Sequence, residues 1–277
     1  MRILIIGNLG YIGPVVVSHF RKNFPESFLA GYDIGYFEHL LTTKDSSPEI
    51  KLNHQFYGDV RNFHYEILKD FDSVIYLAAI SNDPMGNKFA EVTKNVNQIS
   101  AVKIAIEAKK QGVKNFTFAS SCSVYGFAEG GKRNEKSNLN PLTTYAKSKI
   151  GAEKDLESLS DENFKISCLR FATACGFSPR LRLDLVLNDF VASALVNNRI
   201  DILSDGNPWR PLIHVKDMAR IMEWSITDRN SLEEDFLAIN SGSNVWNYQI
   251  KELAYAVKEF LPDVQISINE NAEPDKR

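Results

Sequence analysis

The stretch that decides the fold is Met1-Arg2-Ile3-Leu4-Ile5-Ile6-Gly7-Asn8-Leu9-Gly10-Tyr11-Ile12-Gly13. A short apolar run meets a turn whose glycines are spaced GxxGxxG, and a helical pattern follows. In such a turn the first glycine allows a tight bend, the second lets a pyrophosphate approach the backbone at a helix N-terminus, and the third allows close helix–strand packing. The turn therefore predicts a dinucleotide site formed by Gly7, Gly10, Tyr11, Ile12 and Gly13.

The type of dinucleotide is indicated by Asp33, which lies 20 residues beyond Gly13 at the end of a second apolar run. A carboxylate there accepts hydrogen bonds from an adenosine ribose and repels a 2′-phosphate, so NAD is predicted rather than NADP. Asp59 and Val60 follow a third candidate strand and are predicted to contact the adenine. The alternatives are an ordinary turn aspartate at 33 and a solvated loop acid at 59.

Outward from this turn, short apolar runs alternate with longer segments of helical period. The alternation predicts an α/β fold, a Rossmann-like doubly wound parallel sheet with a smaller C-terminal substrate-binding lobe. We predict an NAD-binding domain over residues 1–172, with 212–240 returning to it. The lobe is expected over 173–211 and 241–277, and its polar ending, which lacks a closing element, leaves open a missing C-terminal piece.

Composition excludes several classes of function. The 277 residues are 44% hydrophobic with a net charge of -3, and they show no basic stripe, so nucleic acid is not an expected partner. No run approaches the ~20 apolar residues of a membrane span, which favours a cytoplasmic protein without membrane contact. The three cysteines, Cys122, Cys168 and Cys175, lack metal-ligand spacing, so neither a metal nor a disulfide is expected.

Candidate catalytic residues lie in Tyr145-Ala146-Lys147-Ser148-Lys149. A tyrosine and a lysine four residues apart share one helix face, and an ammonium near a phenol lowers the phenol pKa from about 10 towards that of a useful general base. Upstream, a predicted core strand ends in Ser120-Ser121. Because ligands bind at the carboxyl edge of such sheets, Ser121 is expected beside this pair.

Together these motifs resemble the extended short-chain dehydrogenase/reductase family, in its NAD-dependent nucleotide-sugar epimerase/dehydratase branch. The resemblance spans nearly the whole chain. It includes the glycine turn, Asp33, Gly58-Asp59-Val60, Leu77-Ala78-Ala79, Val96-Asn97, Ser120 to Gly126, Tyr145 to Lys149, Leu169-Arg170-Phe171 and Arg210 to Val215.

The resemblance implies roles for these residues. Ser121 would hydrogen-bond the reacting oxygen, Tyr145 would exchange its proton, and Lys149 would bind the nicotinamide ribose and tune Tyr145. Leu77, Ala78, Ala79 and Asn97 would line or support the cofactor cleft. For a nucleotide-diphosphate sugar, the implied binding residues are Ser121, Ser123, Thr173, Asn188, Arg210 and the terminal Arg277. Asn97 as a helix cap and Asn188 as a turn residue remain alternatives.

Departures from the family pattern restrict the chemistry. The 4,6-dehydratases of this branch carry an Asp-Glu pair where this chain has Cys122-Ser123, which argues against dehydration. The 3,5-epimerising members have a cysteine at the position of Ser123. Cys122 is one residue away, and in an extended segment its side chain would point away from the face of Ser121, as a packed thiol. Thr173 replaces a common asparagine, and Trp209-Arg210-Pro211 replaces a commoner Arg-Asp pairing, so the substrate stays open.

The expected activity is therefore hydride chemistry at a sugar carbon, most economically a C4 epimerisation through transient oxidation. A one-way 4-ketoreductase or dehydrogenase is the alternative, and a non-catalytic NAD-binding scaffold is a further one. Helices over 92–110 and 145–159 resemble those of the family's four-helix dimer interface, which predicts a homodimer.

Overall fold

The central feature of the fold is a parallel β-sheet. The computed structural model describes residues 1–43, 47–126 and 131–272, and within them this sheet has seven strands. In order across the sheet, they are β10 (Phe236–Ser241), β6 (Lys165–Phe171), β5 (Asn115–Ser121), β4 (Ser73–Tyr76), β1 (Arg2–Ile6), β2 (Phe28–Asp33) and β3 (His54–Tyr57). The chain adds β2 and β3 on one side of β1 and the later strands on the other. The predicted doubly wound sheet is therefore confirmed.

Helices cover both faces of this sheet, because successive side chains of a strand point to opposite faces. In β1, Ile3 and Ile5 pack against the helices Gly13–Asn23 and Val215–Thr227, whereas Leu4 and Ile6 pack on the face covered by the helices Ala101–Lys110 and Thr144–Glu157. The helices around the sheet are α1 (Gly13–Asn23), α2 (Asp83–Lys88), α3 (Ala90–Lys94), α4 (Ala101–Lys110), α5 (Thr144–Glu157) and α7 (Val215–Thr227). A π-helical stretch, Asn95–Ser100, joins α3 to α4. In the described parts of the chain, no helix combines the length and apolarity needed to cross a membrane.

A smaller lobe with its own core follows β6. Within residues 172–272, α6 (Val186–Asn197) and α8 (Ile250–Phe260) pack against a parallel pair of strands, β8 (Arg199–Ile202) and β12 (Gln265–Ile268). A second small sheet contains β11 (Asn247–Gln249), β9 (Trp209–His214) and β7 (Thr173–Cys175). The lobe therefore stands beside the carboxyl end of β6, where the sheet presents its ligand-binding edge.

One predicted boundary differs from the structure. The chain was expected to return to the cofactor domain at residue 212, but β9 pairs with β7 and β11 and so stays in the small sheet. The return begins with α7 at Val215 and is completed by β10. An apolar strand pattern gives no information about which sheet the strand joins.

Candidate active site

The glycine turn has the geometry that its sequence predicts. Gly7 has a φ of +90°, and a Cβ added there would lie 2.4 Å from the backbone nitrogen of Ala78. A Cβ on Gly13 would lie 2.2 Å from the Asn8 carbonyl oxygen, whereas one on Gly10 would meet only the Gly7 carbonyl at 3.6 Å. The fold itself thus requires Gly7 and Gly13. Gly10 leaves open space against the backbone at the start of α1, which suits an anionic ligand.

The loop after β4 closes against this turn. The backbone N–H groups of Leu77 and Ala78 donate to the Ile6 carbonyl, at 2.7 and 3.1 Å. Asn97 is fully buried, accepts from the Ile80 N–H at 2.8 Å, and donates to the Ile80 carbonyl and to the Ser148 hydroxyl. Its side chain therefore fixes the loop that contains Ala78 and Ala79, and it supports the cleft from behind.

Asp33 lies where the sequence places it, at the end of β2 beside the glycine turn. Its carboxylate accepts from the Leu9 N–H at 3.0 Å and from the Gly35 N–H at 2.9 Å, and burial raises its pKa. The Asp59 carboxylate is bound by the Arg61 guanidinium and backbone N–H, which lower its pKa. Val60 is buried in the core. Of these residues, Asp33 is the one with a carboxylate presented at the turn.

The predicted catalytic residues come together at the carboxyl edge of β5. Thr143 caps α5 by accepting from the Ala146 N–H at 3.2 Å, so Tyr145 stands in the first helical turn. Ser121 ends β5, and its hydroxyl lies close enough to Tyr145 to act on the pKa of the phenol. One turn along α5, Lys149 Nζ lies 5.6 Å from the centre of the Tyr145 ring and donates to the Ala119 carbonyl at 2.7 Å.

The charges at this site differ from the simple expectation that Lys149 lowers the pKa of Tyr145. Burial raises the pKa of Tyr145 to about 12, although the Ser121 hydrogen bond and the Arg182 charge both act to lower it. Burial likewise lowers the pKa of Lys149, 1% exposed, to about 7. A low-dielectric site penalises both charged forms, and the sequence pattern could not include this penalty.

Cys122 does not lie in an extended strand, and its partly buried side chain packs against the cluster of Val124, Tyr125 and Ile150. The strand ends at Ser121, whose hydroxyl accepts from the Ser123 N–H and caps a 3₁₀ turn, Cys122–Tyr125. The alternation of a pleated strand therefore does not apply beyond Ser121. Cys122 lies close enough to Tyr145 and Arg210 to interact with their charges, and burial raises its own pKa to about 11. The Ser123 hydroxyl is buried and has no hydrogen-bond partner among the described residues.

The lobe contributes less directly. Arg210 lies on β9, and its charge acts to lower the pKa of Cys122, while Thr173 begins β7 next to the end of β6. Asn188 was expected to contact a diphosphate. Its two amide hydrogens instead donate to Tyr11 and to the Arg182 carbonyl, and its oxygen accepts from Gly176. Arg277 lies outside the described residues.

The site can now be compared with known proteins. A model described as the NAD dependent epimerase/dehydratase family matches residues 3–239 of the chain. The chain belongs to this family. It is accordingly an NAD-dependent enzyme of the extended short-chain dehydrogenase/reductase type, as the motifs predict.

Three known proteins illustrate the similarity. An uncharacterized UDP-glucose epimerase of Bacillus subtilis is 28% identical over 79% of this chain and 71% of its own. UDP-glucuronic acid decarboxylase 5 of Arabidopsis thaliana is 26% identical over 100% of this chain and 80% of its own. The solved UDP-N-acetylglucosamine 4-epimerase from Methanobrevibacter ruminantium M1, in complex with UDP-N-acetylmuramic acid, shares the fold with a TM-score of 0.83. It is 22% identical and the alignment covers 99% of this chain and 86% of that one.

The family's cofactor fits the residues present. The turn at Gly7 is closed against Ala78, the space at Gly10 is open, and the Asp33 carboxylate is fixed by the Leu9 backbone within that turn. These are the features needed to hold a pyrophosphate at a helix N-terminus and a ribose at the end of the second strand. In the described residues, His, Cys, Asp and Glu side chains form no cluster that could hold a metal.

An ionic network that the sequence analysis does not predict lies beneath Lys149. Glu153, one helical turn beyond Lys149, is 4% exposed and its carboxylate is bound by Arg170 at 2.7 Å. The Ser120 hydroxyl also donates to Glu153, and Arg170 donates to the Tyr125 hydroxyl at 3.0 Å. A signal was available, because an acid four residues after Lys149 shares its helix face. The network joins the end of β5 to α5 and so fixes Ser121 relative to Tyr145.

Proposed function

We propose that the protein is a nucleotide-sugar epimerase that acts by transient oxidation of a sugar hydroxyl, at C4, with Tyr145 as acid and base. The observation that carries this proposal is the convergence of three side chains at the carboxyl edge of β5, where Ser121 lies close enough to act on the pKa of Tyr145 and Lys149 Nζ lies 5.6 Å from the centre of the Tyr145 ring. The family membership and the nucleotide-sugar enzymes among its relatives support the substrate class. The alternative of a non-catalytic scaffold gains no support from a site in which these side chains converge.

Each residue has a definite task in such a reaction. Tyr145 takes the proton from the sugar hydroxyl and later returns it, while Ser121 holds the same oxygen by a hydrogen bond. Bound NAD supplies the acceptor, and later the donor, of the hydride at that carbon. Lys149 is placed to donate to a ribose hydroxyl and to hold a positive charge beside the phenol. The keto-sugar must turn over between the two hydride transfers, so that the hydroxyl is re-formed on the other face.

Two features favour epimerisation over the other chemistries of the family. Cys122 and Ser123 stand beside Ser121 and supply no carboxylic acid, whereas dehydration requires an acid and a base for elimination of water. Asp33 favours NAD, which suits a cycle that ends with its oxidant restored. A one-way ketoreductase or dehydrogenase remains the alternative that the experiment must separate.

The residues that would bind the substrate are proposed from the chemistry of their side chains. The Arg210 guanidinium is suited to a diphosphate because its planar fork matches phosphate oxygens. Ser123 offers a buried hydroxyl that a sugar oxygen could pair, and Thr173 lies at the base of the lobe. Arg277 is retained as a proposed contact with the nucleotide. Asn188 is proposed to support the site rather than to contact the diphosphate, because both of its amide hydrogens are donated to groups of the chain itself.

The test combines product analysis with a matched variant. Purified protein is incubated with NAD and a panel of UDP-, dTDP- and GDP-sugars; NMR identifies products and absorbance follows reduced nicotinamide. An epimerised sugar without net reduction of NAD supports the proposal, whereas stoichiometric reduction or oxidation assigns a dehydrogenase or reductase. Tyr145→Phe should abolish turnover and leave NAD binding within a few-fold, because the phenol acts in proton transfer. Wild-type turnover by this variant would refute Tyr145 as the base.

A further inference from the structure

Arg180 belongs to the lobe, but its side chain is buried against the cofactor domain, at 3% exposure. Its Nη1 donates to the Glu49 carboxylate at 2.7 Å. Its Nε donates to the Phe37 carbonyl at 3.2 Å, and its Nη2 donates to the Glu38 carbonyl at 3.1 Å. Every nitrogen of the guanidinium is therefore bonded to the cofactor domain, as a buried cation requires.

The residues before Arg180 bond to the same domain. The Thr42 N–H donates to the Pro179 carbonyl at 2.7 Å, and the Thr42 hydroxyl donates to the same oxygen at 2.9 Å. The Ser178 hydroxyl donates to the Tyr11 carbonyl in the glycine turn. We call Ser178, Pro179 and Arg180 the lobe strap. It is bonded both to the glycine turn and to the loop that follows β2.

This loop, over 34–42, continues directly from Asp33. The Asp33 carboxylate accepts from the Leu9 N–H of the glycine turn and from the Gly35 N–H. The Glu38 N–H donates to the Gly35 carbonyl at 3.2 Å, so a hydrogen-bonded turn connects Asp33 to the carbonyl groups that the strap holds. A pyrophosphate at the glycine turn and a ribose at Asp33 would thus both contact segments that the strap fixes.

Hydrophobic burial does not account for the position of this loop. Its large apolar side chains are exposed, at 70% for Tyr36, 49% for Phe37 and 48% for Leu40, and so they remove little surface from water. The Tyr57 hydroxyl donates to the Glu38 carboxylate, but this hydrogen bond is exposed to solvent. The position of the loop therefore depends chiefly on the buried polar contacts of the strap, and it opens when those contacts break.

We propose that Arg180 is a positioning residue for the cofactor, which holds the glycine turn and the loop over 34–42 closed around the adenosine half of NAD and so sets the rate at which NAD leaves. The inference goes beyond the proposed reaction, because it concerns the residence of the cofactor and not the chemistry of the sugar. NAD that contacts both segments can leave only after the strap has separated from one of them. The lobe, whose proposed task is to bind the sugar nucleotide, therefore also retains the cofactor.

The dissociation rate of NAD from the complete protein tests the proposal. Protein loaded with radiolabelled NAD is mixed with an excess of unlabelled NAD, without any sugar, and the label that stays bound is followed with time. Arg180→Met keeps the apolar stem and removes all the donors, so NAD should dissociate at least about tenfold faster, while its association rate changes less than about threefold. Arg180→Lys keeps a charge beside Glu49 but lacks the fork that also reaches the carbonyl groups, and its rate should lie between the two.

The matched control is Arg199→Gln. Arg199 is also a lobe arginine paired with an acid, Asp201 at 2.7 Å, but the pair lies on the surface, and NAD dissociation should be unchanged. Thr42→Val removes a strap donor without disturbing the pair of Arg180 and Glu49, and it should speed dissociation about threefold. This variant and Arg180→Lys carry the test if Arg180→Met does not fold.

Limited proteolysis separates loss of the strap from general damage. Chymotrypsin cleaves after exposed aromatic residues, so a loop freed in Arg180→Met should be cut after Tyr36 and Phe37 about tenfold faster than in the wild type, with the sites identified by mass spectrometry. Unchanged NAD dissociation in folded Arg180→Met, or in both Arg180→Lys and Thr42→Val, would overturn the inference. Faster cleavage of the loop with unchanged NAD dissociation would also overturn it, because the loop would then open without releasing NAD. Failure of the epimerase assay leaves these measurements unaffected, since no sugar is present in them.

Discussion

Replacing Glu153 by glutamine removes the negative charge that faces the Arg170 guanidinium inside the catalytic domain. Both side chains are almost fully buried, at 4% and 6% exposure, and the arginine binds the carboxylate through Nε and through Nη2. A guanidinium stays charged in proteins, so the variant would hold an uncompensated buried cation. The Ser120 hydroxyl would also exchange a carboxylate acceptor for a neutral amide.

The size of the effect follows from this burial. Removal of one partner of a buried ion pair costs about 3–5 kcal/mol, whereas replacement of both partners by apolar residues of similar volume is often neutral or stabilising. For a chain of 277 residues, a loss of 1 kcal/mol lowers Tm by about 2 °C. We therefore expect Glu153→Gln to lower Tm by about 6–10 °C. The double variant Glu153→Leu/Arg170→Met should be more stable than the single variant.

The assay is urea unfolding followed by circular dichroism, with thermal melts in parallel. The control is Lys110→Gln, which breaks the largely exposed pair between Lys110 and Glu107 and should change the free energy of unfolding by no more than about 0.5 kcal/mol. A loss below about 1 kcal/mol in Glu153→Gln would refute the reasoning. The reasoning would also be refuted if the double variant lost as much free energy of unfolding as Glu153→Leu and Arg170→Met lose together as single variants, because the two residues would then not be coupled.

Further expectations concern the cofactor turn, the lysine and assembly. Gly10→Ala should have a Tm near that of the wild type, because a Cβ at Gly10 meets no protein atom closer than 3.6 Å. The variant should bind NAD at least about tenfold more weakly by calorimetry, because the added Cβ fills the space through which the cofactor approaches the backbone. Wild-type affinity would contradict this expectation. Burial lowers the pKa of Lys149 from its ordinary 10.5 to about 7, so between these pH values the folded state binds fewer protons than the unfolded state. The free energy of unfolding of the wild type, relative to that of Lys149→Met, should therefore rise with pH across this window. A flat or falling difference would show that the pKa is not lowered. The helices α3–α4 and α5 are predicted to form a four-helix dimer interface, and sedimentation that shows only monomer at micromolar concentration would exclude it.

The parts of the fold that the sequence predicts are those governed by local rules. Buried parallel strands give continuous apolar runs, and the turn at Gly7 requires a positive φ, which favours glycine. The residue types alone therefore predict both features. Tyr145 and Lys149 share a helix face by spacing, and Ser121 joins them because strand ends meet at one edge of the sheet. These expectations need no knowledge of contacts between distant segments.

The missed features depend on contacts that no local pattern encodes. Cys122 does not follow the alternation of the strand because the hydroxyl of Ser121 caps a 3₁₀ turn that begins at Cys122, which a pattern of alternation cannot anticipate. Arg182 lies in a segment without helical or strand period and meets Ser81 across 101 residues of sequence. The pKa values of Tyr145 and Lys149 depend on how deeply each side chain is buried, and this is a property of the assembled site.

The two parts of the molecule share hydrogen bonds at the point where the cofactor turn meets the lobe, and this bears on the choice between an epimerase and a reductase. Tyr11, within the turn, bonds to Gly176 and Asn188, and Ser178 donates back to the Tyr11 carbonyl. Opening the cofactor turn therefore requires these bonds with the lobe to break. An enzyme that exchanges its dinucleotide in every turnover would bear that cost each time, whereas an epimerase ends each cycle with the same oxidised cofactor in place. If the dinucleotide leaves through an opened turn, the coupling of turn and lobe therefore favours the retained NAD and the reversible reaction that we propose.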